Sequence, residues 1–152
     1  MRLSSLLLLV LLLSSCVPPT PSKPARPELT AVEVQNLRQQ WSQVEGVVVV
    51  DGEPLRISYP TGVLFSASAL LPLPGGVAQL DTLVRNIKSS GRDWQLLVRA
   101  QSGESPDYDK TLAAGRVEIL RAYLDSEGLS QEQAQLSVAD NPGAPLELVL
   151  VQ

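Results

Sequence analysis

Apolar and polar residues alternate along this chain with changing periods, and each change marks an expected element. Val34, Leu37, Trp41 and Val44 recur at three- and four-residue intervals, the spacing of one face of a helix. Thr30 and Glu33 stand ahead of them at the spacing of a reciprocal N-terminal cap. A helix is therefore predicted over about 30–44, packed on the domain edge with Trp41 in the core. Val47 to Val50 is β-branched throughout, while Leu55, Ile57 and Tyr59 alternate with polar residues. With Asp51-Gly52 between them, the two runs predict a hairpin that turns Leu55, Ile57 and Tyr59 inward. Beyond Pro60-Thr61-Gly62, the apolar Val63-Leu64-Phe65 predicts another short paired segment.

Val77, Leu80, Leu83, Val84 and Ile87 return to the helical period, and Gly91 stops it. Trp94 to Ala100 is dense in apolar residues, as an interior strand would be. Ser105-Pro106-Asp107 then supplies a cap, a proline at the first helical position and an acid in the first turn. The helix it opens runs towards Gly128, with an apolar stripe of Tyr108, Leu112, Ile119, Leu120, Tyr123 and Leu124. A short turn around Glu132–Gln135, a strand at Leu136–Val138, a turn at Asn141-Pro142-Gly143 and a closing strand at Leu146–Val151 complete the pattern. Strands that alternate with helices need at least one parallel crossover, and hairpins add antiparallel pairs. The class expected is α/β (α+β): a two-layer sandwich with a mixed sheet and its helices on one face.

One charge interrupts this order. Arg116 is four residues after Leu112 and four before Leu120, in the middle of the stripe. A guanidinium keeps its charge, and burying it without partners is costly. Either the fold supplies a carboxylate or carbonyls, or Arg116 sits at the mouth of a site and meets a ligand.

Composition narrows the chemistry. The 152 residues suffice for one domain with a core. There are 12 Lys and Arg against 16 Asp and Glu, without basic clusters, so a nucleic-acid partner is not expected. There is no His and a single Cys, which removes the commonest general base, any internal disulfide and thiolate metal sites. The carboxylates near loops and helix starts, Asp81, Glu104, Asp107 and Asp109, read as solvated helix-terminus charge, and no enzyme activity, metal or cofactor is expected.

The amino-terminal end has a different logic. Met1-Arg2 precedes a leucine-rich run to Leu13, too short to span a membrane and suited to a secretory signal. Leu13-Ser14-Ser15-Cys16 resembles the bacterial lipobox. The resemblance implies removal of residues 1–15 and a covalent lipid on Cys16, with acyl chains such as palmitate anchoring the protein to a membrane. Val17 stands where an Asp would favour inner-membrane retention, so the outer membrane, facing the periplasm, is the expected location. Pro18, Pro19, Pro21, Pro24 and Pro27 make residues 16–29 a tether with polyproline character, about 3.1 Å per residue when extended. The expected organisation is signal peptide 1–15, lipidated tether 16–29, leading helix 30–45 and a domain over 46–152.

Order and spacing over about residues 46–151 resemble the OmpA-like peptidoglycan-associated domain. The resemblance rests on Val63-Leu64-Phe65, on Pro74, Gly76, Leu80, Asp81 and Leu83, on Tyr108, Leu112, Arg116, Tyr123 and Leu124, and on Leu146-Glu147-Leu148. It implies that the arginine at Arg116, with an Asp in the loop after the preceding strand, grips the diaminopimelate of the peptidoglycan peptide stem. Gln101 occupies the place of that Asp, with Ser102 beside it and Glu104 the nearest acid. Two functions follow. One is non-covalent binding of peptidoglycan through Arg116, Gln101, Ser102 and Glu104, linking envelope layers. The other is a protein-interaction module in an envelope, secretion or motility complex.

Overall fold

The computed structural model describes residues 27–151. The expected signal peptide, the lipid on Cys16 and most of the tether lie outside the described residues. Among the described residues no helix is long and apolar enough to cross a membrane.

Eight elements follow the expected order: α1 (Ala31–Ser42), β1 (Val48–Val50), β2 (Arg56–Tyr59), α2 (Gly76–Ser90), β3 (Trp94–Val98), α3 (Pro106–Ser126), β4 (Ala134–Val138) and β5 (Leu146–Leu150). The sheet order is β1-β2-β5-β3-β4. β3 and β4 pair in parallel, and the other pairs are antiparallel. The parallel pair is the crossover that the strand–helix–strand sequence requires, and α3 makes it.

Register decides which side chains reach the core. Tyr59, Leu146, Val98 and Val138 lie in one row, and Ile57, Leu148, Leu96 and Leu136 in the row two residues away. These rows face the helices, and Ile57, Leu96, Val98, Leu146 and Leu148 are fully buried. The intervening rows, with Arg56, Ser58, Gln95, Gln135 and Ser137, form the other face. Such clean alternation fixes the register, since a one-residue slip would turn every core side chain outward.

The leading helix starts as its sequence predicts. Glu33 N–H donates to the Thr30 hydroxyl at 3.3 Å, and the Glu33 carboxylate accepts from Thr30 N–H at 2.8 Å. Leu37 and Trp41 enter the same core as the sheet, and the Trp41 ring meets Trp94 edge-on with centroids 5.7 Å apart. Two tryptophans in contact bury a large apolar area and add an edge-to-face attraction of about 1 kcal/mol.

Two expectations are corrected. The hairpin link is not a two-residue Asp51-Gly52 turn; it runs from Asp51 to Leu55 before pairing starts at Arg56. Val63-Leu64-Phe65 does not pair as a strand. β2 already has β1 on one side and β5 on the other, so no sheet edge is free beside it. The segment instead uses turn bonds, Gly62 N–H to Phe65 O at 2.8 Å and Val63 N–H to Pro60 O at 3.2 Å, while Leu64 and Phe65 plug the core.

Candidate functional site

The site is assembled where β3 ends, α3 begins and the β4–β5 loop returns. Ser105 adopts extended backbone and accepts from Tyr108 N–H at 3.2 Å, with Pro106 in the first turn of α3. The buried face of α3 is Leu112, Ala113, Arg116, Val117, Leu120 and Leu124. Tyr108, expected in the stripe, is 40% exposed. The first turns of α3 border a cleft rather than the sheet, so burial begins only at Leu112 and α3 joins the main core at Val117.

Arg116 is completely buried, and its partners are all carbonyls. Its Nε donates to Ala69 O at 3.0 Å, and Nη1 donates to Arg99 O at 2.7 Å. Nη2 donates to Ser66 O at 2.7 Å, Ala67 O at 3.1 Å and Ala69 O at 2.7 Å. The guanidinium lies 4.7 Å from the centre of the Phe65 ring, within cation–π range. Burial pulls its pKa below the usual arginine value, and the negative charge of Asp109 opposes this. The segment that supplies the Ser66, Ala67 and Ala69 carbonyls passes over α3 at Gly115. A Cβ there would come within 2.7 Å of Leu70 Cδ1, so glycine provides the notch in which Leu70 rests.

A second buried arginine, Arg99, follows β3 directly and is 2% exposed. Its Nε donates to Asn141 O at 2.8 Å, its Nη2 to Asn141 Oδ1 at 3.1 Å, and its Nη1 pairs with Glu147 at 3.0 Å. Gly143 lies against the guanidinium, since a Cβ there would stand 2.8 Å from Arg99 Cζ. Arg99 thus moulds the β4–β5 loop around itself.

Asp109 organises the β3–α3 loop. Its carboxylate accepts from Ser102 N–H at 2.8 Å and from the Ser102 hydroxyl. These bonds hold its pKa below the ordinary aspartate value, with the Arg116 charge contributing less.

Two spaces result. A cleft of about 360 Å³ is lined by Gln101, Asp107, Asp109, Lys110, Asp140 and Asn141, among others. It opens where β3 and β4 end, the position at which open α/β sheets commonly bind ligands. A cavity of about 10 Å³, room for roughly one water, lies between Arg99, Gln101 and Arg116. A flatter groove of about 390 Å³ runs along β4 past Arg121 and Gln135. It lacks the convergence of charges seen at the strand ends.

The four predicted site residues separate. Gln101 borders both the cleft and the small cavity, whereas Arg116 borders only the cavity. Ser102 is turned to Asp109. Glu104 is exposed, its N–H bonded to the Ser102 hydroxyl at 3.2 Å, and it lines neither space. Sequence reasoning missed Arg99, Lys110, Asp140 and Asn141. Arg99 did carry a signal, as a charge closing the apolar run of β3; the others are polar residues in ordinary loop and helix positions.

No family model matches this chain, and no curated protein does. Solved structures do. A MotB-like protein from Desulfovibrio vulgaris superposes with a TM-score of 0.56 at 18% identity, over 78% of this chain and 93% of that one. The cell wall anchor of the T6SS from Pseudomonas aeruginosa gives 0.55 at 8% identity, over 77% and 95%. The periplasmic domain of Helicobacter pylori MotB gives 0.56 at 14% identity, over 73% and 82%. At such identities the likeness speaks for the fold alone. That fold, the mixed-sheet α+β fold of OmpA-like and MotB periplasmic domains, is the one expected from the sequence.

Proposed function

We propose that this is a periplasm-facing envelope protein whose domain binds the peptide stem of peptidoglycan non-covalently, tethered to the outer membrane by lipid on Cys16. The observation that carries the reading is the cleft at the carboxyl ends of β3 and β4, where Asp107, Asp109 and Asp140 converge with Lys110. A stem ending in diaminopimelate presents ammonium and carboxylate together. The acids suit the ammonium, while Lys110 and the N-terminal end of α3 suit the carboxylate. The solved structure of a T6SS cell wall anchor with the same fold supports the reading. On this reading the domain binds and does not catalyse, and the Asp109 carboxylate, held below the ordinary aspartate range by its bonds from Ser102, shapes the cleft wall. Sedimentation of the full chain, in detergent, with purified sacculi tests the proposal. Retention should exceed that of an unrelated detergent-solubilised control and fall when Asp107 and Asp140 are both changed to Asn. Retention equal to the control would overturn it.

One observation favours a second reading, an interaction module within an envelope protein complex. Arg116 gives its hydrogen bonds to carbonyls of its own chain. On this reading the arginine is structural, sacculi retain nothing, and crosslinking in intact cells joins the domain to an envelope protein.

A further inference from the structure

The segment from Ser66 to Leu71 has no helix or strand, and among the described residues its main chain makes no backbone–backbone hydrogen bond. Its carbonyls at Ser66, Ala67 and Ala69 bond to one group, the Arg116 guanidinium. Its other anchor is Leu70 in the notch at Gly115. Outside that notch the apolar side chains are open to solvent, with Leu70 43% and Leu71 65% exposed. By contrast, the Phe65 ring under the guanidinium is fully buried, and Arg99 O belongs to the end of β3. One side of Arg116 is therefore fixed and the other is covered by a segment that this side chain itself retains.

We infer that residues 66–71 form a strap latched by Arg116, its carbonyls occupying the positions that a ligand carboxylate would take, and that an acidic ligand reaches the arginine by unlatching it. The identity of the ligand as a wall peptide rests on the function proposed above; the latch does not. A carboxylate offers the guanidinium fork two charged acceptors in place of neutral carbonyls, and charge-assisted bonds are the stronger. The apparent affinity is lowered by the fraction of molecules in which the strap is closed. Loosening the strap without touching Arg116 should therefore tighten binding.

Limited chymotrypsin cleavage of the Leu70–Leu71 bond in the full chain, read by mass spectrometry, measures strap opening. Cleavage after Leu83 in the core of α2 reports global unfolding. Gly115→Ala pushes Leu70 from its notch and keeps the arginine; Arg116→Lys removes the fork. Both variants should be cut at the strap roughly tenfold faster than wild type, as the open population grows, and by more than any rise in Leu83 cleavage that the lost stability of Arg116→Lys brings. The tripeptide L-Ala–D-Glu–diaminopimelate should speed strap cleavage of wild type. If both variants are cut at the wild-type rate, or only in step with Leu83, the latch is wrong. If the variants behave as expected but the tripeptide has no effect and sacculi retain nothing, the latch stands and the wall-binding function falls.

Discussion

Arg116 donates from Nη1 to the main-chain carbonyl of Arg99 at 2.7 Å, which joins the two buried arginines among the described residues into one series of contacts. The series begins at the 66–69 carbonyls, passes through Arg116 to Arg99, and continues through the Arg99 side chain to Asn141 and Glu147. Three loops distant in sequence are set by two side chains.

The first prediction concerns the inner link. Arg116→Ala leaves four backbone carbonyls without this partner and opens a void above Phe65. Hydrogen bonds to a charged donor contribute about 1.5–3 kcal/mol each and are not additive. The expected loss of unfolding free energy is about 3–5 kcal/mol, measured by urea denaturation. A loss below about 1 kcal/mol would show that the arginine does not hold these loops.

Glu147 separates a buried ion pair from an exposed one on a single carboxylate. It meets Arg99 at 3.0 Å, with the arginine side chain 3% exposed, and Arg56 at 3.5 Å, with that side chain 49% exposed. Removing one member of a buried pair costs about 3–5 kcal/mol, whereas an exposed pair contributes about 0–1. Glu147→Ala should therefore destabilise strongly and Arg56→Ala hardly at all in the same denaturation assay. Comparable losses would mean that the two bridges have been ranked wrongly.

How far these links could be read from sequence depends on their range. Thr30 with Glu33, Ser105 with Pro106, and the stop at Gly91 are local arrangements, and each forms as its residues predict. The alternation in β2 and the residue before it placed Leu55, Ile57 and Tyr59 in the core because a pleated strand has a period of two, and all three are buried. Arg116 was visible as a misplaced charge, but its acceptors are carbonyls 17 and 47 to 50 residues earlier, and every residue type has a carbonyl. No side-chain pattern marks such a partner. Val63-Leu64-Phe65 is apolar for a reason that sequence does not distinguish from pairing: it fills the core end-on while its backbone turns. The Asp140 and Lys110 edge of the cleft exists only because β4 lies beside β3, which is a statement about topology.

The Asp109–Ser102 contact sets a pH dependence. The pKa of Asp109 in the folded chain lies below the ordinary value of 3.8, chiefly through the Ser102 hydroxyl and then the Ser102 N–H. A depressed carboxylate favours the folded arrangement above its unfolded pKa, and that contribution is lost as pH falls through the folded value. The Ser102 amide proton should hold its NMR shift from neutral pH to about pH 4 and change only below it. In Asp109→Asn the shift should be flat across the acid range. A Ser102 transition in wild type centred above the ordinary aspartate value would contradict the assigned bonding.

Gln101 offers the most direct test of the proposed ligand. Its side chain is exposed and borders both the cleft and the small cavity beside Arg116. The resemblance places an acid here, facing the ammonium of the stem; the amide accepts a hydrogen bond but brings no charge. Gln101→Asp restores the charge at an exposed position, so stability should change by less than about 0.5 kcal/mol. One charge-assisted bond more than a neutral one is worth about 1.4 kcal/mol, or roughly tenfold in affinity. Retention on purified sacculi should rise by that order at low ionic strength, and the gain should shrink as salt screens the new charge. A variant that folds normally and is retained no better than wild type would separate Gln101 from the ligand, and with it the cleft mouth from the binding surface.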